Sequence, residues 1–161
     1  MNKYTIGAIL LGTILLLVMV STQSNNAGQA ATKQSATSII TVTGDKYDFG
    51  TIDIFGGKVH TTYMLKNEGP DDVTITNAQT SCMCTEGEID GYTFGMHGSN
   101  VHNIVIPAGA EKEVTATFDP LAHGPNGTGK ITRELVLKTN STASPEVRMM
   151  FNGDVAKNEN N

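Results

Sequence analysis

Tryptophan is absent from this chain, and only two cysteines occur in its 161 residues. The pair that staples an antibody-type domain, two distant cysteines packed on a buried tryptophan, is therefore excluded. Aromatic residues make up 6%, so the core must be built from aliphatic side chains and few rings. No cluster of Lys or Arg appears, and 11 basic residues face 16 acidic ones, for a net charge of -5. A nucleic-acid surface needs such a cluster to neutralise phosphates, so that class of partner is disfavoured. Gly-x-Ser-x-Gly, phosphate-loop, dinucleotide-fold and His-Glu-x-x-His patterns are all missing, and we expect no enzyme activity. Hydrophobic residues amount to 39%, part of them spent on an apolar N-terminus. The core is thus expected to be small, as in a thin two-layer sandwich.

One long hydrophobic run does exist. Ile6–Val20 is apolar apart from Gly7, Gly12 and Thr13, with Lys3 before it and a polar stretch from Ser21 after it. Counting from Tyr4 the run just reaches the length of about 17 residues that a span needs. The expectation is a single-pass anchor over residues 1–20, touching the membrane through residues 4–20, with the domain on the extracytoplasmic side. The alternative is a cleaved signal peptide, which would release the domain; Gly28-Gln29-Ala30 is the best cleavage candidate. No cysteine ends the run, so lipidation there is excluded. Residues 21–37 carry no apolar periodicity and read as a flexible tether.

From Ser38 the hydrophobic period becomes two. Ser38–Thr43, Tyr47–Ile52, Val59–Asn67, Val73–Gln79, Val101–Ile106, Lys112–Asp119, Gly129–Asn140 and a last strand carrying Val147, Met149 and Phe151 read as strands, separated by Gly, Pro, Asn and Asp turns. In Val59–Asn67, Val59, Thr61, Tyr63 and Leu65 are expected inward and His60 outward. Arg133 shares the parity of Ile131, Leu135 and Leu137, which places it at the rim, in a pair, or displaced by a bulge. Seven or eight short strands without a helix predict an all-β, immunoglobulin-like sandwich over residues 38–155, followed by a polar tail over 156–161.

The order of Tyr47-Asp48-Phe49-Gly50-Thr51-Ile52, Leu65-Lys66-Asn67-Glu68-Gly69, Ser81-Cys82-Met83-Cys84-Thr85, Ile106-Pro107-Ala108-Gly109 and Phe118-Asp119-Pro120 resembles the bacterial Domain of Unknown Function 1573 family. The resemblance covers roughly residues 40–155. It implies an Ig-like fold, a bacterial source and export, and supplies no activity. Two departures stand out. Met83 replaces the glycine usual between the cysteines, and the stretch Glu86–Asn103 is longer than expected, read here as a Gly-rich loop bearing Met96, His97 and His102.

The chemistry lies in the cysteine pair. In an extended chain, residues two apart sit about 6.6 Å apart at Cα, near the upper limit for a disulfide, so bonding within the pair calls for a distorted backbone. Three readings follow. In the first, two thiolates on one face bind a soft ion, copper(I) fitting best and zinc being the alternative, with His97, His102 and His123 as candidate further ligands beside Cys82 and Cys84. In the second, the pair exchanges disulfides with a partner, ranked lower because no histidine adjoins it in sequence. In the third, the cysteines are small core hydrophobes. The function expected is an envelope-tethered metal-binding module with an unidentified envelope protein as partner. The competing expectation is a metal-free adhesion or scaffold module.

Overall fold

The computed structural model describes residues 35–99 and 104–158. The anchor and nearly all of the tether, His102, and the last three residues of the tail lie outside the described residues. Ten strands are present: β1 (Ile40–Thr43), β2 (Lys46–Asp53), β3 (Val59–Asn67), β4 (Val73–Thr80), β5 (Thr85–Ile89), β6 (Tyr92–Phe94), β7 (Ile104–Ile106), β8 (Glu111–Phe118), β9 (Gly129–Thr139) and β10 (Glu146–Ala156). They form two five-stranded sheets, β1-β3-β8-β5-β6 and β2-β10-β9-β4-β7. All pairings are antiparallel except β2 with β10. The immunoglobulin-like sandwich expected from the alternation is thus the fold. Among the described residues no helix is long and apolar enough to cross a membrane.

The alternation explains the core. Thr61, Tyr63 and Leu65 of β3 are buried while His60 is exposed, because successive side chains of a strand face opposite sides. Val114, Ala116 and Phe118 of β8 and Val147, Met149 and Phe151 of β10 join them. Tyr63 also bolts the sheets together: its hydroxyl donates to the Met150 carbonyl at 2.8 Å. Gly153 marks a register shift in the β2–β10 pair. A Cβ at Gly153 would lie 2.7 Å from Ile52 Cδ1 and 3.2 Å from the Gly50 carbonyl, so a side chain here would have to push the Ile52 tip aside and crowd β2.

Two more strands are present than the alternation suggested, and the reason is local. The stretch after the cysteines is a hairpin, β5–β6, closed by Asp90-Gly91 with Ile89 opposite Tyr92. Both turn residues have positive φ, 51° and 76°, as a two-residue hairpin turn of the primed type requires. An Asp-Gly pair between Ile89 and Tyr92 is the sequence signal for this turn, and the glycine content of the stretch obscured it.

The chain's entry into the domain is held by Asp71. Its carboxylate accepts from the Thr37 amide at 2.9 Å and the Thr37 hydroxyl at 2.7 Å, and these bonds hold its pKa below the usual carboxylate value. A depressed folded pKa adds stability above the unfolded value of about 3.9, which is lost as pH falls through the lowered one. Asp71→Asn is therefore expected to lower the urea midpoint at neutral pH, with the variant and wild-type curves converging towards acid. Curves that stay parallel down to about pH 2 would contradict this assignment.

Candidate functional site: a disulfide between two crossovers

β4 belongs to one sheet and β5 to the other, so the four residues between them, Ser81–Cys84, carry the chain across the end of the sandwich. A crossover cannot stay extended. The Thr85 amide donates back to the Cys82 carbonyl at 3.1 Å, which closes a turn over the two cysteines. Thr80 Oγ1 lies 3.0 Å from both the Cys82 and Thr85 carbonyl oxygens and can donate to one at a time. The turn is stitched to β9 by the Ser81 amide on the Glu134 carbonyl, 2.9 Å, and the Glu134 amide on Ser81 Oγ, 2.9 Å.

This geometry corrects the expectation of two separate thiols. Cys82 and Cys84 are disulfide-bonded, with Cα atoms 5.1 Å apart. The value expected for a strand does not apply because the backbone turns here, and the shortened distance falls inside the disulfide range. The two sulfurs are not equivalent. Cys82 is half-buried, whereas Cys84 is 2% exposed and belongs to the core. The Cys84 amide donates to Cys82 Sγ at 3.1 Å.

A second crossover runs beside the first. β8 lies in the sheet of β5 and β9 in the sheet of β4, and the loop between them carries His123. Its base is fastened to the cysteine turn by the Asp119 amide on the Cys84 carbonyl, 2.9 Å. Asp119 shapes the next turn by accepting from the Leu121 amide at 2.9 Å through Oδ1. His123, exposed, thereby comes within 3.4 Å of Cys82 Sγ through Nε2. The ligand atoms of Cys82, Cys84 and His123 all lie within 4.8 Å of one another.

Of the other candidate ligands, His97 does not join this group. It is exposed and lines a shallow groove of about 370 Å3 with Met83, Phe94 and Met96. His102 lies outside the described residues. Methionine 83 points into solvent, 70% exposed.

Arg133 is not a ligand type, yet it is a neighbour of the disulfide. It keeps register opposite Phe151 on β10, so no bulge displaces it. Its guanidinium lies over the Phe118 ring, 5.9 Å from the centroid, and Nε donates to Cys84 Sγ at 3.1 Å. Nη1 donates to the Thr132 carbonyl at 2.8 Å. Burial lowers its pKa, and none of the ion pairs among the described residues gives it a carboxylate partner. Its sequence signal is a single cation on an otherwise apolar strand face, Ile131, Leu135 and Leu137 sharing its parity.

Cys82, Cys84 and His123 are the residues that could hold a soft ion if the disulfide were opened. Metal–donor bonds of about 2.0–2.3 Å at a trigonal centre separate the donors by about 3.5–4 Å, close to the 3.4 Å between Cys82 Sγ and His123 Nε2. Thiolates are required, so only the reduced pair qualifies.

The class is now defined: an Ig-like β-sandwich with a Cys-x-Cys disulfide at a sheet crossover, flanked by a histidine and an arginine. Residues 40–155 match the family described as Protein of unknown function (DUF1573), and the chain belongs to that family. No curated protein matches the sequence. Among solved structures, a protein of unknown function from Porphyromonas gingivalis W83 is similar at 14% identity and a TM-score of 0.59, covering 74% of this chain. This chain spans 48% of that one. The human CEP192 ASH / PapD-like domain 7 is also similar, at 14% identity and a TM-score of 0.49, over 81% of this chain and 94% of that domain. At such identities the likeness to the Porphyromonas protein speaks for the fold alone.

Proposed function

We propose that the protein is a membrane-tethered, extracytoplasmic Ig-like module that holds copper(I) between Cys82, Cys84 and His123 when its disulfide is reduced. It is a binding protein, not an enzyme, and it is tethered through residues 4–20. The observation that carries this reading is the approach of His123, from a separate crossover, to within 3.4 Å of Cys82 Sγ. Packing of two small hydrophobes would not call for an imidazole there.

Charge favours a monovalent ion over zinc. Two thiolates and copper(I) leave one negative charge, which Arg133, 3.1 Å from Cys84 Sγ, balances. Two thiolates and a divalent ion are already neutral, and the half-buried guanidinium would then stand uncompensated. Zinc also prefers four ligands, and the cluster among the described residues has three. The competing reading is a metal-free scaffold with structural cysteines. It is favoured by the burial of Cys84, 2% exposed, but it leaves His123 and Arg133 without a role.

The test is copper(I) uptake by the purified full chain in competition with a colorimetric chelator. The reduced protein is expected to take up stoichiometric copper, and the oxidised protein and the Cys82→Ser/Cys84→Ser variant none. His123→Ala is expected to weaken binding by more than about tenfold. Equal copper in reduced wild type and the double variant would remove the reading.

A further inference from the structure

The two sulfurs are arranged for a reaction as well as for a ligand. Closing a ring of three residues removes little entropy from the unfolded chain. In the chain-entropy relation the stabilisation grows with the logarithm of the ring length, and a ring of three lies at its short end. The Cys82–Cys84 bond is thus a weak staple for a domain whose β-ladders already fix the turn. Its surroundings point elsewhere. Cys82 is the more exposed of the two: it is half-buried, whereas Cys84 is 2% exposed. The more buried cysteine is the one against a cation, with Arg133 Nε at 3.1 Å from its sulfur. Arg133 has a half-buried charge and no carboxylate to balance it among the described residues. An anion formed at Cys84 would supply that balance.

We infer that the Cys82–Cys84 disulfide is a thiol-exchange site, attacked at Cys82 by a thiolate of an exported protein's dithiol, with Arg133 holding the departing Cys84 thiolate. The atoms balance in two steps. The partner thiolate bonds to Cys82 Sγ, the Sγ–Sγ bond breaks, and its electron pair leaves on Cys84 Sγ. The partner's second thiolate then attacks the partner sulfur of the mixed disulfide. Cys82 leaves as a thiolate, the partner becomes a disulfide, and the domain is reduced by two electrons. The domain's own disulfide is the oxidant and the partner dithiol the reductant, for one turnover. Arg133 is a positioning residue here. It does not meet the substrate; it stabilises the leaving group, since departure is faster from a more acidic thiol. The Cys84 amide, which donates to Cys82 Sγ at 3.1 Å, serves the second departing thiolate in the same way. Nothing in this reaction needs a metal.

The experiment uses the oxidised full chain in chelator-containing buffer, with reduced glutathione as the monothiol probe and a synthetic Cys-x-x-Cys peptide as the dithiol. Rapid alkylation and peptide mapping are expected to find glutathione on Cys82 and the alkyl group on Cys84. Glutathione on Cys84 would overturn the proposal. Loss of a charge-assisted hydrogen bond, roughly 1.5–3 kcal/mol, corresponds to a factor of about 10–160. Arg133→Met is therefore expected to slow reduction by the peptide at least about tenfold, and Arg133→Lys to restore much of the rate. A merely structural role for Arg133 would not separate those two variants at equal folded fraction. Equal rates in wild type and both variants would overturn the assignment of Arg133. Because the rates are read without copper, exchange can succeed where copper uptake fails, and the reverse.

Discussion

Asn67→Ala is expected to destabilise the domain by about 3 kcal/mol, a large part of the 5–15 kcal/mol typical of a whole domain. Asn67 ends β3 and is fully buried. Its Nδ2 donates to the Asp71 carbonyl at 2.8 Å and the Ile106 carbonyl at 2.9 Å, and its Oδ1 accepts from the Gly69 amide at 3.1 Å. One side chain thus ties the β3–β4 turn to β7, in the opposite sheet. Alanine would leave two carbonyls and an amide without these partners, and a buried group left unsatisfied costs about 1–3 kcal/mol. Some of that is recovered, since the Asp71 carbonyl also accepts from Ser38 Oγ at 2.8 Å. Urea unfolding followed by circular dichroism measures the change. Asn67→Asp should do no better than alanine, because a carboxylate offers no donor to the two carbonyls. A loss below about 1 kcal/mol for the alanine variant would show that the turn holds itself.

The same residue illustrates what the sequence made legible. Leu65-Lys66-Asn67-Glu68-Gly69 could be recognised as a block before its physical content was known; that content is the Asx bond from Asn67 to Gly69 and the reach to Ile106. Strand identity and inward faces followed from alternation, because alternation is a local property of a strand. The β5–β6 hairpin escaped because Gly87, where a Cβ would collide with the Phe94 ring at 2.2 Å, and Gly91 made the stretch read as loop. The site was legible only by half. Cys82 and Cys84 announced themselves, but their bonding depended on whether the backbone was extended, and that was decided by a crossover between sheets. His123 and Arg133 lie 41 and 49 residues from the sulfurs they meet. No local pattern relates positions so far apart; the side-by-side crossovers bring in His123, and the pairing of β9 with β4 brings in Arg133.

Phe118→Ala is expected to cost about 3–5 kcal/mol and to disturb the site as well. Phe118 is 2% exposed at the end of β8, opposite Thr85 on β5 and Val59 on β3. Its ring meets Phe151 of the other sheet at 5.8 Å between centroids and carries the Arg133 guanidinium on its face. It is therefore at once the packing between sheets and the platform for the cation beside Cys84. Phe118→Leu separates the two roles. Leucine refills most of the volume, so the loss of stability should stay within about 1.5 kcal/mol. The ring face goes, and with it a cation–π contact of about 0.5–2 kcal/mol. If the ring orients Arg133, the leucine variant has a urea midpoint between those of the wild type and the alanine variant, and at equal folded fraction its disulfide is reduced several-fold more slowly by the same dithiol peptide. A leucine variant with wild-type reduction kinetics would mean that the Thr132 carbonyl, 2.8 Å from Nη1, suffices to hold the guanidinium. Core and chemistry would then be independent at this end of the sandwich.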